Sequence, residues 1–278
     1  MRHNVGVPQK PQELPPAKTI DEVIASIGSI IDWAITAKSR LGYFAALYKR
    51  MTAAVRVALN KGVFENKARM ERFDVAFANR YFAALNGYFY PDKHPKPTHV
   101  WQVTFDASTL RDPIIVQHML GGVNAHIGLD LGIIAQSIAP QAQLPSLRED
   151  FNRINAVLAS QVNGVVESIN ELSPVLADLY TVLQDNEINL ITETLKSFRD
   201  NAWTFATVLA HEPDVLHPAT ILARDLQVAQ QGALMYNPPA PITTIVSAIA
   251  ARESRNVTKN IKALDKIAST LAPIKTTM

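Results

Sequence analysis

The chain has 278 residues, 47% of them apolar and 19% charged, and its 27 basic side chains nearly balance 25 acidic ones. This composition is typical of a globular protein with a substantial core, and it excludes a disordered chain. The absence of cysteine excludes disulfides, thiolate metal sites and cysteine nucleophiles, and no basic run is interleaved with aromatic residues, so we expect no nucleic-acid partner.

The sequence also lacks targeting and membrane signals. No charged segment followed by an apolar run marks a signal peptide, and no apolar stretch approaches the ~18–20 residues that cross a bilayer. We therefore expect a cytoplasmic protein without a transmembrane segment.

The first half of the chain is predicted to be helical after a short tail. Residues 1–18 are expected to be a flexible Pro-rich tail, because four prolines lie among polar residues. A capping box of Thr19 and Glu22 then begins the first helix. A second helix is predicted for about 39–60 and a third for about 67–88.

A long loop is predicted near 91–110, where prolines break the helical pattern. Within it we expect one short extended piece, 100–105. Residues 109–113 are predicted to begin the next helix, which ends before Pro140.

The second half repeats this helical pattern. A capping box at Ser146 and Glu149 is expected to begin one helix. The predicted helices are about 146–171, 174–184, 186–211, 219–234 and 242–271. No segment alternates with period two, so we predict an all-α fold: one domain over 19–278, built as a bundle of about seven to nine helices.

The helix of about 111–136 carries the strongest functional signal. It places His118, Asn124, His126 and Asp130 in an otherwise apolar stretch. His126 and Asp130 are four residues apart and share a helical face, which is the spacing of half a metal site or of an acid–base pair. His118 is eight residues from His126, about 12 Å along the axis, so it would serve a second ion or another end of a pocket.

The third helix offers partners for that site. Asp74 and Tyr81 share an apolar face, and a buried carboxylate is costly unless a cation or metal pairs with it. Asp74 would complete the site or form a structural ion pair with Arg80, and both interpretations stay open.

Two further patterns leave alternatives open. Glycines in the central helix indicate either room for a ligand or tight packing with a kink: Gly121, Gly122, Gly128 and Gly132. Arg199 and Trp203, four residues apart, would stack as a cation–π pair or line the pocket.

Together these residues resemble an uncharacterised family of bacteria and fungi, "domain of unknown function 5995". The resemblance is carried by His118, Asn124-Ala125-His126-Ile127, Asp130-Leu131, Phe73-Asp74, Asn79-Arg80-Tyr81, Asp150-Phe151-Asn152-Arg153, Arg199 and Trp203. It covers roughly 70–210 and implies an ordered polar site without stating its chemistry.

The spacing of His126 and Asp130 is also similar to that on core helices of all-α zinc-dependent phospholipase C and related nucleases. This analogy implies a metal-dependent phosphoesterase. The chain has no recognisable counterpart of the N-terminal metal-binding residue of those proteins, which puts a full three-metal site in doubt.

Three functions follow as hypotheses. The first is a metal-dependent hydrolase of phosphoesters, holding zinc, manganese or iron with His118, His126, Asp130 and Asp74. The second is a metal-free helical enzyme in which a His–Asp general base acts on an apolar small molecule. The third is a non-catalytic binding or scaffold protein with a buried polar network. The candidate catalytic residues are His126, Asp130, Asp74, Asn124, Arg80 and Tyr81, and the expected partner is a small, partly apolar molecule.

Overall fold

A computed structural model describes residues 10–175 and 187–275, and within them every regular element is helical. The α-helices are α1 (Ile20–Ala37), α2 (Leu41–Asn60), α3 (Lys67–Phe89), α4 (His99–Ala107), α5 (Ile115–Ala125), α6 (Leu131–Ile138), α7 (Arg148–Leu172), α8 (Glu187–His211), α9 (His217–Tyr236), α10 (Ile242–Arg252) and α11 (Val257–Ala268). A π-helical turn, His126–Asp130, joins α5 to α6, and 3-10 turns occupy Gln141–Leu147 and Asp214–Leu216.

The predicted all-α class is confirmed for these residues. With α5, the π turn and α6 counted as one continuous central helix, the described part holds ten helices, slightly above the expected seven to nine. The helix predicted for 174–184 falls mostly outside the described residues. None of the described helices is long and apolar enough to cross a membrane.

The first helices begin and end where the sequence indicates. The Thr19 hydroxyl accepts a hydrogen bond from the backbone N–H of Glu22 at the start of α1 (3.2 Å). After α2 ends at Asn60, Gly62 adopts the left-handed conformation (φ 68°), which glycine reaches without steric cost.

The described part of the predicted tail, 10–18, is anchored to α3. The side-chain amide of Asn86 pairs with both backbone groups of Leu14 (3.0 and 2.8 Å), and Asn79 pairs in the same way with Ala17 (2.8 and 2.9 Å). Leu14 and Ala17 are also buried. This segment is therefore not a loose tail, because two side-chain amides satisfy its backbone as a neighbouring strand would.

The piece predicted to be extended, 100–105, lies instead within α4. Its β-branched and aromatic residues favour strands when considered alone. The buried residues of α4 recur at the spacing of one helical face: Val100, Trp101, Thr104, Phe105 and Ala107. The Asp225 carboxylate accepts the first backbone N–H groups of this helix, those of His99 (2.7 Å) and Val100 (2.9 Å).

The predicted start of the central helix at 109–113 is wrong. The helix begins at Ile115, where the backbone N–H donates to the carboxylate of Glu253 (2.9 Å). The side chain of Gln117 accepts from the backbone N–H of Ile114 (2.9 Å), so this end is capped by partners that local sequence does not reveal.

The predicted capping box at Ser146 and Glu149 is also wrong. Helix α7 begins at Arg148, and the Ser146 hydroxyl donates to the carbonyl of Gln143 (2.8 Å). The same hydroxyl accepts from Arg69 (2.8 Å), so it fixes the preceding turn instead of capping the helix.

The last predicted helix, 242–271, is two helices. The chain breaks at 253–256, where the buried Glu253 reaches across to the start of the central helix. The Asn256 side chain then accepts from the backbone N–H of Lys259 (3.0 Å) and caps α11.

The central helix lies between the other elements of the core. Its α5 part packs against α2, α4 and α9, and its α6 part packs against α3 and α8. Ile127, in the π turn, contacts both apolar clusters of the interior. The candidate polar residues are therefore carried through the middle of the molecule.

Glycines in this helix make room for neighbouring side chains. A Cβ atom at Gly122 would lie 2.2 Å from Cγ of Phe44 in α2, and one at Gly121 would lie 1.9 Å from the hydroxyl of Tyr236 in α9. The structure therefore supports the packing interpretation of these glycines. The helix is irregular at the π turn that follows.

Candidate functional site

Asp130 is fully buried, and three side chains point donors at its carboxylate. Nε of Arg80 donates to Oδ1 (2.5 Å) and Nε1 of Trp101 donates to Oδ2 (2.8 Å). Nδ1 of His126 lies 3.3 Å from the same Oδ2. Burial by itself would raise the pKa of Asp130, but the Arg80 charge and the His126 contact hold it below the ordinary value. Asp130 is therefore an ionised, fully engaged carboxylate at neutral pH.

This carboxylate fixes the tautomer of His126. An ionised carboxylate can only accept, so His126 donates through Nδ1–H and keeps the lone pair on Nε2. Burial lowers the pKa of His126 in spite of the neighbouring Asp130. The imidazole is therefore neutral at pH 7. Its Nε2 is buried and has no hydrogen-bond partner among the described residues.

Aromatic rings hold the imidazole in place. The Phe77 ring stacks on it with the centroids 3.5 Å apart and the planes 8° from parallel. Tyr48 meets the imidazole edge-on at 4.7 Å, and Phe44 does so at 6.1 Å. A ring confined in this way has little freedom to turn Nε2 toward another partner.

The π-helical turn sets the register of the site. The backbone N–H of Leu131 bonds to the carbonyl of His126, five residues earlier, and His126 and Asp130 are the first and last residues of the turn. Such turns are rare inside α-helices and occur often at functional sites. The sequence indicates the pairing of the two residues but gives no sign of the turn.

A cavity of about 360 Å³ lies beside His126. Its mostly apolar walls come from α2, α3, the central helix, α7 and α8. Two of the lining residues, Leu120 and Thr194, are exposed, so the cavity reaches the surface between α5 and α8. Its volume is within the range of pockets that hold small organic molecules.

Polar atoms in this wall are few, and several lack partners. Oδ2 of Asp74 is buried with no hydrogen-bond partner in the part of the chain described. The hydroxyls of Tyr48 and Thr52 lie one turn apart on α2 near each other, yet neither makes a well-aligned hydrogen bond to a described residue. Together with His126, the residues that carry these groups are among the few polar side chains in the wall of an otherwise apolar pocket.

Among the residues that the structure describes, Asp74 forms no ion pair with a group of opposite charge. The pairing expected between Asp74 and Arg80 is not formed, because Arg80 binds Asp130. Burial and the nearby Glu71 raise the pKa of Asp74 to about 7. This carboxyl group is therefore protonated in a large fraction of molecules at neutral pH.

Two further predicted site residues lie near His126 but outside the cavity wall. The Tyr81 ring packs on Trp101 with the centroids 5.1 Å apart, behind the imidazole. Nδ2 of Asn124 donates to the backbone carbonyl of Val228 (2.9 Å) and ties the central helix to α9. These contacts support and position the site and do not face the cavity.

His118 is separate from His126 and the cavity. Its ring lies between Tyr43 and Tyr236, with centroids 5.9 Å from each. Burial lowers the pKa of His118 to about 3, so the ring is neutral. His118 therefore does not line another end of this cavity, as one of the alternatives held.

The residues found here do not assemble a metal-binding set. Within 10–175 and 187–275, no group of three or more His, Asp or Glu side chains is placed to hold an ion. Both Asp130 oxygens already accept from Arg80 and Trp101, and the His118 ring lies elsewhere, between Tyr43 and Tyr236. Zinc, manganese or iron binding stays a prediction that this geometry does not favour.

Sequence reasoning missed three residues of the site. Trp101 was placed in an extended piece, so its bond to Asp130 could not be anticipated. Tyr48 and Thr52, four residues apart on an apolar helix, give one weak signal, since buried hydroxyls need partners. The stack between Phe77 and His126 depends on tertiary packing and has no local signature.

The predicted stack of Arg199 on Trp203 is wrong. Arg199 lies over Phe151 (4.3 Å) and its Nε donates to Asn155 (2.6 Å), while Arg148 covers Trp203 (4.8 Å). Both cations cross to neighbouring helices instead of following the i, i+4 spacing.

Comparison with known proteins adds a family but no activity. The model of a family described as "Family of unknown function (DUF5995)" matches residues 20–238. Searches of curated proteins and of solved structures give no match to this chain. The analogy to zinc-dependent phospholipase C therefore stays a prediction.

Proposed function

The chain belongs to the family of unknown function DUF5995, and we propose that it is a metal-free enzyme whose His126–Asp130 pair acts as a general base on an apolar small molecule. The observation that carries the proposal is the partnerless Nε2 lone pair of His126 in the wall of a ligand-sized apolar cavity. A neutral imidazole with a free Nε2 lone pair is the form that accepts a proton from a bound molecule.

Asp130 orients His126 and stabilises its protonated form. It holds Nδ1–H, so Nε2 stays unprotonated, and its charge stabilises the imidazolium that forms when His126 takes a proton. Arg80 and Trp101 are positioning residues, since they keep Asp130 ionised and oriented while His126 changes charge. The aromatic rings exclude water from the imidazole face and preserve its aim.

The base can be tested without its natural substrate by using 5-nitrobenzisoxazole, a small apolar probe that opens when a base removes its ring C–H proton. The N–O bond breaks, and the nitrile and the coloured phenolate form without any co-reactant. We expect turnover by the wild type, loss of at least 100-fold in His126→Gln, and unchanged turnover in the presence of a chelator.

The matched control is His211→Gln, which removes an exposed histidine and should leave the rate unchanged. Equal rates for the wild type and a folded His126→Gln variant would contradict the proposal.

A non-catalytic protein that binds an apolar molecule is the second candidate, because the cavity is lined almost wholly by apolar side chains. It predicts that the probe binds the cavity and is not converted. A metal-dependent hydrolase remains an alternative proposal, and it predicts stoichiometric zinc, manganese or iron by elemental analysis, lost in His126→Ala.

A further inference from the structure

We propose that Tyr48 and Asp74 donate hydrogen bonds to the carbonyl oxygen of the substrate, which makes the substrate class an enolisable ketone or aldehyde with an apolar body. The inference rests on the proposed function and identifies the residues that would stabilise the negative charge on the substrate oxygen while His126 removes a proton. It comes from two side chains that line the same cavity as the base and whose buried oxygen atoms, the Tyr48 hydroxyl and Oδ2 of Asp74, make no well-aligned hydrogen bond to a described residue.

The geometry brings these groups to the base. The Tyr48 ring meets the His126 ring edge-on with the centroids 4.7 Å apart, so the two side chains are neighbours in the pocket wall. Asp74 lies one turn before Phe77, the ring stacked on His126, and it interacts electrostatically with Tyr48. Most of the remaining wall is hydrocarbon, so a ligand that fills the cavity brings few other polar atoms.

Both groups carry the proton that this role requires. Burial raises the pKa of the Tyr48 phenol well above its ordinary value. The charged and titratable groups around Asp74 are Tyr48 on α2, His126 on the central helix, Arg199 on the α8 wall and Glu71 on its own helix.

None of these groups forms an ion pair with Asp74. A buried carboxyl group kept neutral is a donor, and such a donor beside a tyrosine stabilises an enolate.

The reaction is a proton transfer in which all atoms balance. Nε2 of His126 takes a proton from the carbon next to the carbonyl. The C–H electrons form the C=C bond, and the carbonyl π electrons move to the oxygen held by Tyr48 and Asp74. The imidazolium then returns its proton to the same carbon or to a conjugated one, so the net result is exchange or isomerisation with no co-reactant.

The test compares 2-acetylnaphthalene, which carries a carbonyl acceptor, with 2-ethylnaphthalene, which has nearly the same shape and no oxygen. We expect the wild type to bind 2-acetylnaphthalene about tenfold more tightly than 2-ethylnaphthalene. In the complex with 2-ethylnaphthalene, Tyr48 and Asp74 have no ligand oxygen to which they can donate. The C=O stretch of the bound ketone should move to lower frequency.

Three variants separate the roles. Tyr48→Phe and Asp74→Leu should each weaken ketone binding several-fold and leave 2-ethylnaphthalene binding within twofold. Asp74→Asn should keep the ketone affinity, because its amide still donates. An Asp74→Asn variant that binds the ketone as weakly as Asp74→Leu would show that hydrogen-bond donation from this position does not set the ketone affinity, and would overturn the proposal.

Equal wild-type affinity for the two naphthalenes would also overturn it. This failure is distinguishable from failure of the proposed function, because conversion of 5-nitrobenzisoxazole depends on the His126 base and does not require a carbonyl ligand.

Discussion

The proposed chemistry rests on three buried side chains whose protonation states are set by their surroundings. Asp130 stays charged because Arg80, Trp101 and His126 point donors at it, and His126 stays neutral because it is buried. Asp74, with no cation beside it, holds its proton to about pH 7. Sequence alone indicated His126, Asp130 and Asp74, but which acid is charged depends on tertiary partners.

Replacing Asp130 with Asn should destabilise the fold by about 3 kcal/mol, because loss of the buried carboxylate leaves Arg80 without its counter-charge. The variant should also slow the probe reaction, since Asn does not fix the Nδ1–H tautomer. Chemical denaturation and initial rates measure the two effects.

Asp200→Asn is the control for Asp130. It removes a largely exposed partner of Arg148 and should cost less than about 1 kcal/mol. Equal losses of unfolding free energy in Asp130→Asn and Asp200→Asn would show that burial of the Arg80–Asp130 ion pair contributes little to stability.

Asp74→Asn should stabilise the protein at high pH. The folded-state pKa, about 7, is above the 3.8 of a free side chain, so the folded protein holds this proton more tightly than the unfolded chain. That contribution is complete below about pH 4 and is lost as pH rises to 7 and beyond, a change on the order of 4 kcal/mol.

Thermal unfolding at pH 5 and pH 8 tests this directly. The difference in Tm between Asp74→Asn and the wild type should be larger at pH 8 than at pH 5. The exposed control Asp32→Asn should show no such trend. An advantage that is constant with pH would contradict a neutral Asp74.

At the scale of elements, helical periodicity predicted most of the helices, and the errors occur where distant groups determine the backbone. Helix α4 was predicted to be extended because its residues favour strands, and its burial pattern appears only in the fold. The break at 253–256 depends on Glu253 reaching the start of the central helix. The π turn at His126–Asp130 has no sequence signature at all.

Close packing of the central helix gives a test of its own. Gly122→Ala should destabilise the protein by about 1–3 kcal/mol, because the new methyl group meets the Phe44 ring. Gly28→Ala in α1 meets nothing within 4 Å and should stabilise by up to about 1 kcal/mol. Denaturant midpoints measure both, and a stabilised Gly122→Ala variant would contradict the observed packing.

At the scale of the whole molecule, the proposed function depends on a cavity that five segments of the chain line. No local pattern predicts it, because α2, α3, the central helix, α7 and α8 each contribute an ordinary apolar face. The sequence predicted a helical bundle and the polar residues of its central helix. The cavity beside these residues results from the packing of the apolar helix faces, which the sequence alone does not reveal.

Occupation of the cavity should stabilise the fold. Indole at a hundredfold excess over its dissociation constant should contribute about 2.7 kcal/mol, which raises Tm by roughly 5 °C for a chain of this size. Leu158→Trp fills the cavity and should abolish the shift, whereas Leu234→Trp, at an exposed position on α9, should retain it. An unchanged shift in Leu158→Trp would place the indole elsewhere.

The most direct test of the His126–Asp130 base is the ¹⁵N NMR spectrum of histidine-labelled protein, with His126 assigned by its loss in His126→Gln. The account predicts a neutral ring at pH 7 with Nδ1 protonated and Nε2 bare, which takes up a proton only at a lower pH than a free histidine does. An imidazolium at pH 7, or a proton on Nε2, would contradict it.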